Sequence, residues 1–169
     1  GTLSDTATVS ITITAVDDTP VASNDTVTVS EDTDYSGTLM ASDGDGDALT
    51  YSVLTDPVNG TISITSSSSG TYTYTPTGNY NGCDSLTFTA SDGTLLDTAK
   101  VSITVTAVND APVASAGTVT TNEDTDYTGT LSASDVDGDA LTYSVLTSPV
   151  NGTIAITSSS SGTYTYTPT

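Results

Sequence analysis

Asp43-Gly44-Asp45-Gly46-Asp47 runs without a break into Ala48-Leu49-Thr50-Tyr51-Ser52-Val53-Leu54. Further along, Asp135-Val136-Asp137-Gly138-Asp139 runs into the same seven residues, Ala140 to Leu146. In the second half of the stretch Leu49, Tyr51 and Val53 alternate with Thr50 and Ser52, the pattern of a pleated strand with one apolar face. The first half sets carboxylates at alternate positions on a backbone that glycine makes supple. Such a loop can fold several oxygens around one hard cation. Calcium takes six to eight oxygens in irregular geometry, whereas magnesium demands a tight octahedron and keeps its water. Without an ion, clustered carboxylates repel one another. The stretch therefore reads as a calcium loop entering a strand, and its recurrence as a repeat.

The repeat extends well beyond this stretch. Pro20 recurs as Pro112, Glu31 as Glu123, Tyr51 as Tyr143, Gly60 as Gly152 and Pro76 as Pro168, always 92 residues on. Gly1-Thr2-Leu3 recurs as Gly93-Thr94-Leu95 at the same spacing. A period this long is a whole domain, so the chain is a tandem array rather than a solenoid. The register divides it into residues 1–16, the last strand of a preceding repeat; 17–108, a complete repeat; and 109–169, a second repeat ending before its last two strands. Thr6 to Thr14, copied by Thr98 to Thr106, is the leading strand, and Gly1 looks like a cut through a longer protein.

Period-two alternation runs through one whole repeat. Val27 and Val29 alternate with threonine and serine, as do Ile62 and Ile64, Tyr72 and Tyr74, then Leu86, Phe88 and Ala90, and finally Val101, Ile103 and Val105. A short strand at Tyr35 to Met40 brings the expected number to seven. No stretch shows helical spacing. Pro57-Val58-Asn59-Gly60 ends in the dipeptide that favours a tight hairpin, and Ser66 to Gly70 and Ser158 to Gly162 read as flexible turns. Seven short strands in about 90 residues describe an all-β chain of tandem immunoglobulin-like sandwiches.

Strand parity places the acidic residues. If the first strand runs away from the linker Asp17-Asp18, the second returns and leaves Asp43, Asp45 and Asp47 beside that linker, with Asp92 after the sixth strand at the same end. Glu31 and Asp32 fall at the far end, where the next linker, Asn109-Asp110, and the loop of Asp135, Asp137 and Asp139 follow. Both sets are expected to converge as Ca2+ sites joining neighbouring domains. An EF-hand is excluded, because its sixth and twelfth positions need Gly and Glu where this chain has Ala48 and Leu54.

Composition excludes several classes. The net charge is −20, with Lys100 as the one basic residue, 21 acidic residues and no histidine. Nucleic acid and anionic membranes both want cationic partners, and no apolar run is long enough to span a bilayer. With no histidine, one lysine and one cysteine, no usual base and nucleophile pair can be assembled, so an enzyme is not expected. Cys83 stands alone and reads as a small buried filler.

The motif set carries a family resemblance. Asp-x-Asp-Gly-Asp-x-Leu-Thr-Tyr-Ser, Asn-Gly-Thr, Tyr-Thr-Tyr-Thr-Pro, Asn79-Tyr80-Asn81-Gly82, Asp84 to Gly93 and the linker Ala107 to Pro112 together resemble bacterial cadherin-like tandem repeats, the extenders of large secreted adhesins. The resemblance covers almost the whole chain. It implies a rod-like array outside the cell or on its surface, partnered by neighbouring repeats or identical subunits, with surface glycans met through other domains. It also implies junction ligands: Glu31, Asn109, Asp110, Asp135 and Asp137 for one site, and Asp17, Asp18, Asp43 and Asp45 for the other. Asn109 stands where the first linker has Asp17. Two other readings stay open. One is a filament subunit joined head to tail by β-strand addition, and the other is a glycan-binding module using Tyr72, Tyr74, Tyr164 and Tyr166. Asn24, Asn59 and Asn151 each open a formal N-glycosylation sequence.

Overall fold

The computed structural model describes residues 1–169, which form two compact units, Gly1–Ala107 and Val108–Thr169. Every regular element is a strand. In unit 1 these are β1 (Val21–Ser23), β2 (Asp25–Ser30), β3 (Tyr35–Thr38), β4 (Met40–Ser42), β5 (Thr50–Thr55), β6 (Gly60–Ser66), β7 (Thr71–Pro76), β8 (Gly82–Ser91) and β9 (Leu96–Thr106). They are the seven expected strands, with the first interrupted at Asn24 and the second at Leu39.

One sheet has the order β2-β9-β8-β5, and the other has β3-β7-β6. β4 pairs with β1, Val21 opposite Ser42. The interruptions let single strands serve two partners. β1 lies along β4, and after Asn24 the chain crosses to run parallel with β9, Val27 opposite Ile103. The Asn24 carboxamide oxygen accepts the Lys100 backbone N–H at 2.8 Å, and the Asp97 carboxylate accepts that of Ala22 at 2.9 Å. Together they fix the crossing point.

The inward residues meet between the sheets as alternation requires. Tyr74, Phe88 and Val101 are fully buried, with Leu39, Tyr72, Leu86 and Ile103 nearly so. The Tyr51 ring packs against Phe88 with centroids 6.3 Å apart. Tyr72 and Tyr74 are thus core residues, which leaves neither ring free to stack on a sugar in this unit.

Three expectations change here. Asn59-Gly60 does not close a hairpin, because β5 and β6 belong to different sheets and residues 56–59 cross between them. Gly60 is needed for close approach, since a Cβ there would lie 2.5 Å from the Tyr74 ring. Asp84 holds the crossing: its carboxylate accepts the N–H groups of Val58, Asn59 and Ser85 and the Tyr74 hydroxyl at 2.8–3.0 Å. Cys83 is exposed rather than buried, because it shares the outward parity of β8 with Thr87 and Thr89. Residues 1–16 form no strand and are exposed throughout. Their copy at 98–106 is a strand because β2 and β8 flank it, and unit 1 offers residues 1–16 no such slot.

Unit 2 repeats half of this architecture. Its strands are β10 (Val113–Ser115), β11 (Tyr127–Thr130), β12 (Ser132–Ser134), β13 (Gly152–Ser158) and β14 (Thr163–Pro168). β10 pairs with β12, and β11-β14-β13 form a sheet in the registers of their copies. The hairpin turn keeps Gly162 at φ 70°, as Gly70 is at φ 70° in unit 1. Residues 117–122 and 142–147, the copies of β2 and β5, are not strands. Their partners in unit 1 are β9 and β8, whose equivalents are not among residues 108–169. Tyr143 still donates its backbone N–H to Ser159 at 2.8 Å, as Tyr51 does to Ser67.

Candidate metal centre

Pairing of β1 with β4 draws the residues before β1 alongside those after β4. Asp17 and Asp18 thereby meet the loop Asp43 to Asp47, and the β8–β9 turn supplies Asp92 and Thr94. The Asp43 Oδ1 accepts the backbone N–H groups of Asp45, Gly46 and Asp47 at 2.9, 3.0 and 3.1 Å. Gly46 sits at φ 83°, which lets those three N–H groups converge. The Asp45 Oδ2 accepts the Asp18 N–H at 2.7 Å. Oxygens of Asp17, Asp45 and Asp47 all lie within 4.8 Å of one another. On the far side, Asp92 Oδ1 accepts the N–H groups of Thr94 and Leu95 at 2.7 and 2.8 Å, and the Thr94 hydroxyl reaches Asp17.

Two carboxylate oxygens in this group, Asp43 Oδ2 and Asp92 Oδ2, are shielded from solvent and have no hydrogen-bond donor. A buried acceptor left without a donor is costly. A cation can satisfy an oxygen of this kind, and the all-oxygen, flexible donor set is the one calcium prefers. Desolvation, then the charges of Asp43, Asp17, Asp45 and Asp92, hold the Asp47 carboxyl above the usual carboxylate value. The N–H groups of Leu95 and Thr94 hold Asp92 below it. Lys100 pairs within the β8–β9 ladder opposite Thr87, several residues from the turn.

Of the residues singled out from sequence, the structure brings together Asp17, Asp43, Asp45 and Asp47, with Asp18 bound through its backbone. Asp92 and Thr94 were not among the candidate ligands, although strand parity had already set Asp92 at this end.

In unit 2 the linker bond recurs, Asp110 donating its N–H to Asp137 Oδ2 at 2.7 Å. Asp135 Oδ1 accepts the N–H groups of Asp137 and Asp139 at 3.0 and 3.2 Å. Asn109 brings a neutral amide that donates to the Asp110 carbonyl at 3.1 Å, so the three-carboxylate group does not form there.

Glu31 and Asp32 lie at the other end of unit 1. Glu31 is 2% exposed and donates its N–H to Thr106, the last residue of β9. Asp32, at φ 57°, accepts the Asn79 N–H at 3.0 Å. The 11 residues of β9 separate this end from the Asp92 turn, roughly 35 Å at strand rise. Glu31 and Asp32 therefore share no ion with Asp17 and Asp43.

Comparison with known proteins follows the same division. A profile of the bacterial Ig domain matches residues 17–104 and again 109–169. The chain belongs to the bacterial immunoglobulin-like domain family. Among solved structures this Ig-like chain is similar to an endo-fucoidan hydrolase, MfFcnA4 of glycoside hydrolase family 107, at 28% identity and TM-score 0.50, covering 90% of the present chain and 25% of the enzyme. It thus spans about a quarter of that enzyme's length. It is also similar to human protocadherin-24 EC1-2, at 17% identity and TM-score 0.61, covering 92% of the present chain and 79% of the other, a likeness of fold. No curated protein matches in sequence. No helix is long and apolar enough to cross a membrane.

Proposed function

We propose that this chain is an extender segment of a secreted or surface-attached bacterial protein, its Ig-like domains stiffened by calcium bound where they join. The observation that carries the reading is the carboxylate group of Asp17, Asp43, Asp45, Asp47 and Asp92, with two solvent-shielded oxygens that lack a donor. It lies where the linker enters the domain, so an ion held there would restrain the linker's direction. Asp110, Asp135, Asp137 and Asp139 repeat part of this arrangement in unit 2. Duplication of the same loop in each domain suits a mechanical part better than a catalytic one. The family supports a domain of this kind, and the fucoidan hydrolase supports its occurrence within much longer proteins.

Isothermal titration of the whole chain with calcium tests the assignment. Binding on the order of 10⁻⁴ to 10⁻³ M is expected, the range of extracellular calcium modules. Asp45→Asn combined with Asp47→Asn should weaken it at least tenfold. Absence of heat at millimolar calcium, or an unchanged isotherm in the double variant, would overturn the assignment.

A further inference from the structure

β6 stands at the edge of its sheet, with β7 as its one hydrogen-bonded neighbour, and its middle reads the same in both directions. Thr61-Ile62-Ser63-Ile64-Thr65 is a palindrome, and so is its copy in β13, Thr153-Ile154-Ala155-Ile156-Thr157. β13 is likewise an edge strand, beside β14.

The ladder shows which backbone groups of β6 are left over. The Asn59 carbonyl accepts the Thr77 N–H at 2.9 Å, and Gly60 lies opposite Pro76. Bonded and non-bonded pairs alternate along an antiparallel ladder. Thr61 and Ser63 therefore bond to Thr75 and Thr73, while Gly60, Ile62 and Ile64 direct their N–H and C=O groups away from β7. A bulge lies between Ile64 and Ser66, and beyond it the Ser67 carbonyl accepts the Tyr51 N–H at 2.8 Å. The open part of the edge is thus the palindrome itself.

This edge is also neutral. Residues 57–83 carry no acidic or basic side chain, in a chain of net charge −20. The other edge strands of the two main sheets of unit 1 all have carboxylates on or beside them: β2 begins at Asp25, β3 follows Asp32 and Asp34, and β5 lies between Asp47 and Asp56. Charge at an edge guards it against pairing, and β6 lacks that guard. A second copy approaching by another edge brings carboxylate towards carboxylate, whereas at β6 it meets none.

We infer that β6 pairs antiparallel with β6 of a second copy, about a twofold axis at Ser63. A twofold contact needs a self-complementary patch, and the palindrome is one. Ile62 lies opposite Ile64 of the second copy, Thr61 opposite Thr65, and Ser63 opposite itself. The free N–H and C=O groups of Ile62 and Ile64 then bond across the axis. Both isoleucines are half-buried against the core of unit 1, and across the axis each covers the other's open flank. Ser63 faces its mate in a non-bonded pair, with Cα atoms about 4.5 Å apart, where small residues fit, and β13 has Ala155 there. The ladder is short, so the association is weak and concentration-dependent. It does not rest on the calcium assignment.

Sedimentation velocity of the whole chain in chelator, with Cys83→Ser to remove the exposed thiol, tests the inference. Mass should rise with concentration, and more at high salt than at low, because screening relieves repulsion between two acidic chains. Ser63→Glu combined with Ala155→Glu sets like charges face to face and should abolish the rise. Both sites are exposed, so the fold persists, as near-ultraviolet circular dichroism would verify. Thr73→Glu combined with Thr165→Glu adds the same charge one strand further in and should leave association intact. For register, Ser63→Cys chains should form a disulfide-linked dimer on oxidation. Thr61→Cys chains should link to Thr65→Cys chains, and neither should link to itself. A monomer at every concentration, or association that survives glutamate at 63 and 155, would overturn the proposal. So would Thr61→Cys linking to itself as readily as to Thr65→Cys. A chain that stays monomeric yet takes up an alternating threonine–valine peptide at this edge would also overturn it, giving the edge to another kind of partner.

Discussion

Withdrawal of calcium is the perturbation whose size follows most directly from the geometry at Asp43. Calcium that binds the folded state alone stabilises it by RT ln(1 + [Ca]/Kd). At 10 mM calcium, a Kd of about 10⁻⁴ M gives ~2.7 kcal/mol, and a Kd of about 10⁻³ M gives ~1.4 kcal/mol. For a domain of about 100 residues each kcal/mol moves Tm by roughly 4–8 °C. Unit 1 should therefore melt roughly 6–22 °C higher in 10 mM calcium than in chelator, by the same scaling. Near-ultraviolet circular dichroism reports on it through the buried Tyr72 and Tyr74 rings. Asp43→Asn separates the ion from the loop. It retains an Oδ1 that can accept the three N–H groups of Asp45, Gly46 and Asp47, but it removes one ligand charge. The variant should melt within a few degrees of the parent in chelator, yet gain less than half as much from calcium. Magnesium at the same concentration should do little, because it resists dehydration. A Tm indifferent to calcium in the parent chain would refute the reasoning, since two shielded acceptors would then have no use for an ion.

The remaining predictions concern the core and the pH response. Tyr74→Phe removes the hydroxyl donated to Asp84 at 2.9 Å; the loss should cost about 1.5–3 kcal/mol, the usual worth of a hydrogen bond to a charged group, measured by urea unfolding. Burial, then the neighbouring Tyr35 and Asp25, raises the Tyr72 phenol to about 12, and burial with the Asp84 hydrogen bond raises Tyr74 as well. Their contribution to stability is complete below pH 10 and is lost as pH rises from there through the folded-state values. Absorbance at 295 nm should show these two tyrosines ionising after the others, together with unfolding. At the acid end, the raised Asp47 carboxyl takes up a proton before an ordinary carboxylate does, so calcium affinity should fall on acidification while the fold persists. An affinity constant from pH 7 to pH 4 would contradict this.

Sequence reading reached the strands because alternation is a local property: Val27 and Val29, Tyr72 and Tyr74, and Leu86, Phe88 and Ala90 all face the core as expected. It reached Asp17, Asp43, Asp45 and Asp47 as neighbours because strand parity alone brings a linker back to the loop after the second strand. It failed where the outcome depends on a distant partner. Leu141 to Leu146 has the same letters as Leu49 to Leu54, and the first copy owes its place in a sheet to β8, a partner about 35 residues on in the chain. Asn59-Gly60 carries hairpin chemistry, but the chain changes sheets there and Asp84 organises the crossing. An aspartate inside a strand was the available signal for that crossing. Cys83 could have been placed by extending the outward parity of Thr87 and Thr89 back along β8. The role of Asp92 depends on donors from Thr94 and Leu95 that only the folded turn aligns.

The most direct test of the central claim is small-angle scattering of the whole chain, first in 10 mM calcium and then in chelator, at a concentration where it is monomeric. Calcium-stiffened linkers predict a longer maximum dimension and a well-defined pair-distance function in calcium, both giving way to a broad, flexible profile when the ion is removed. Superimposable profiles in the two conditions would contradict the account and leave Asp43 and its neighbours as solvated turn residues.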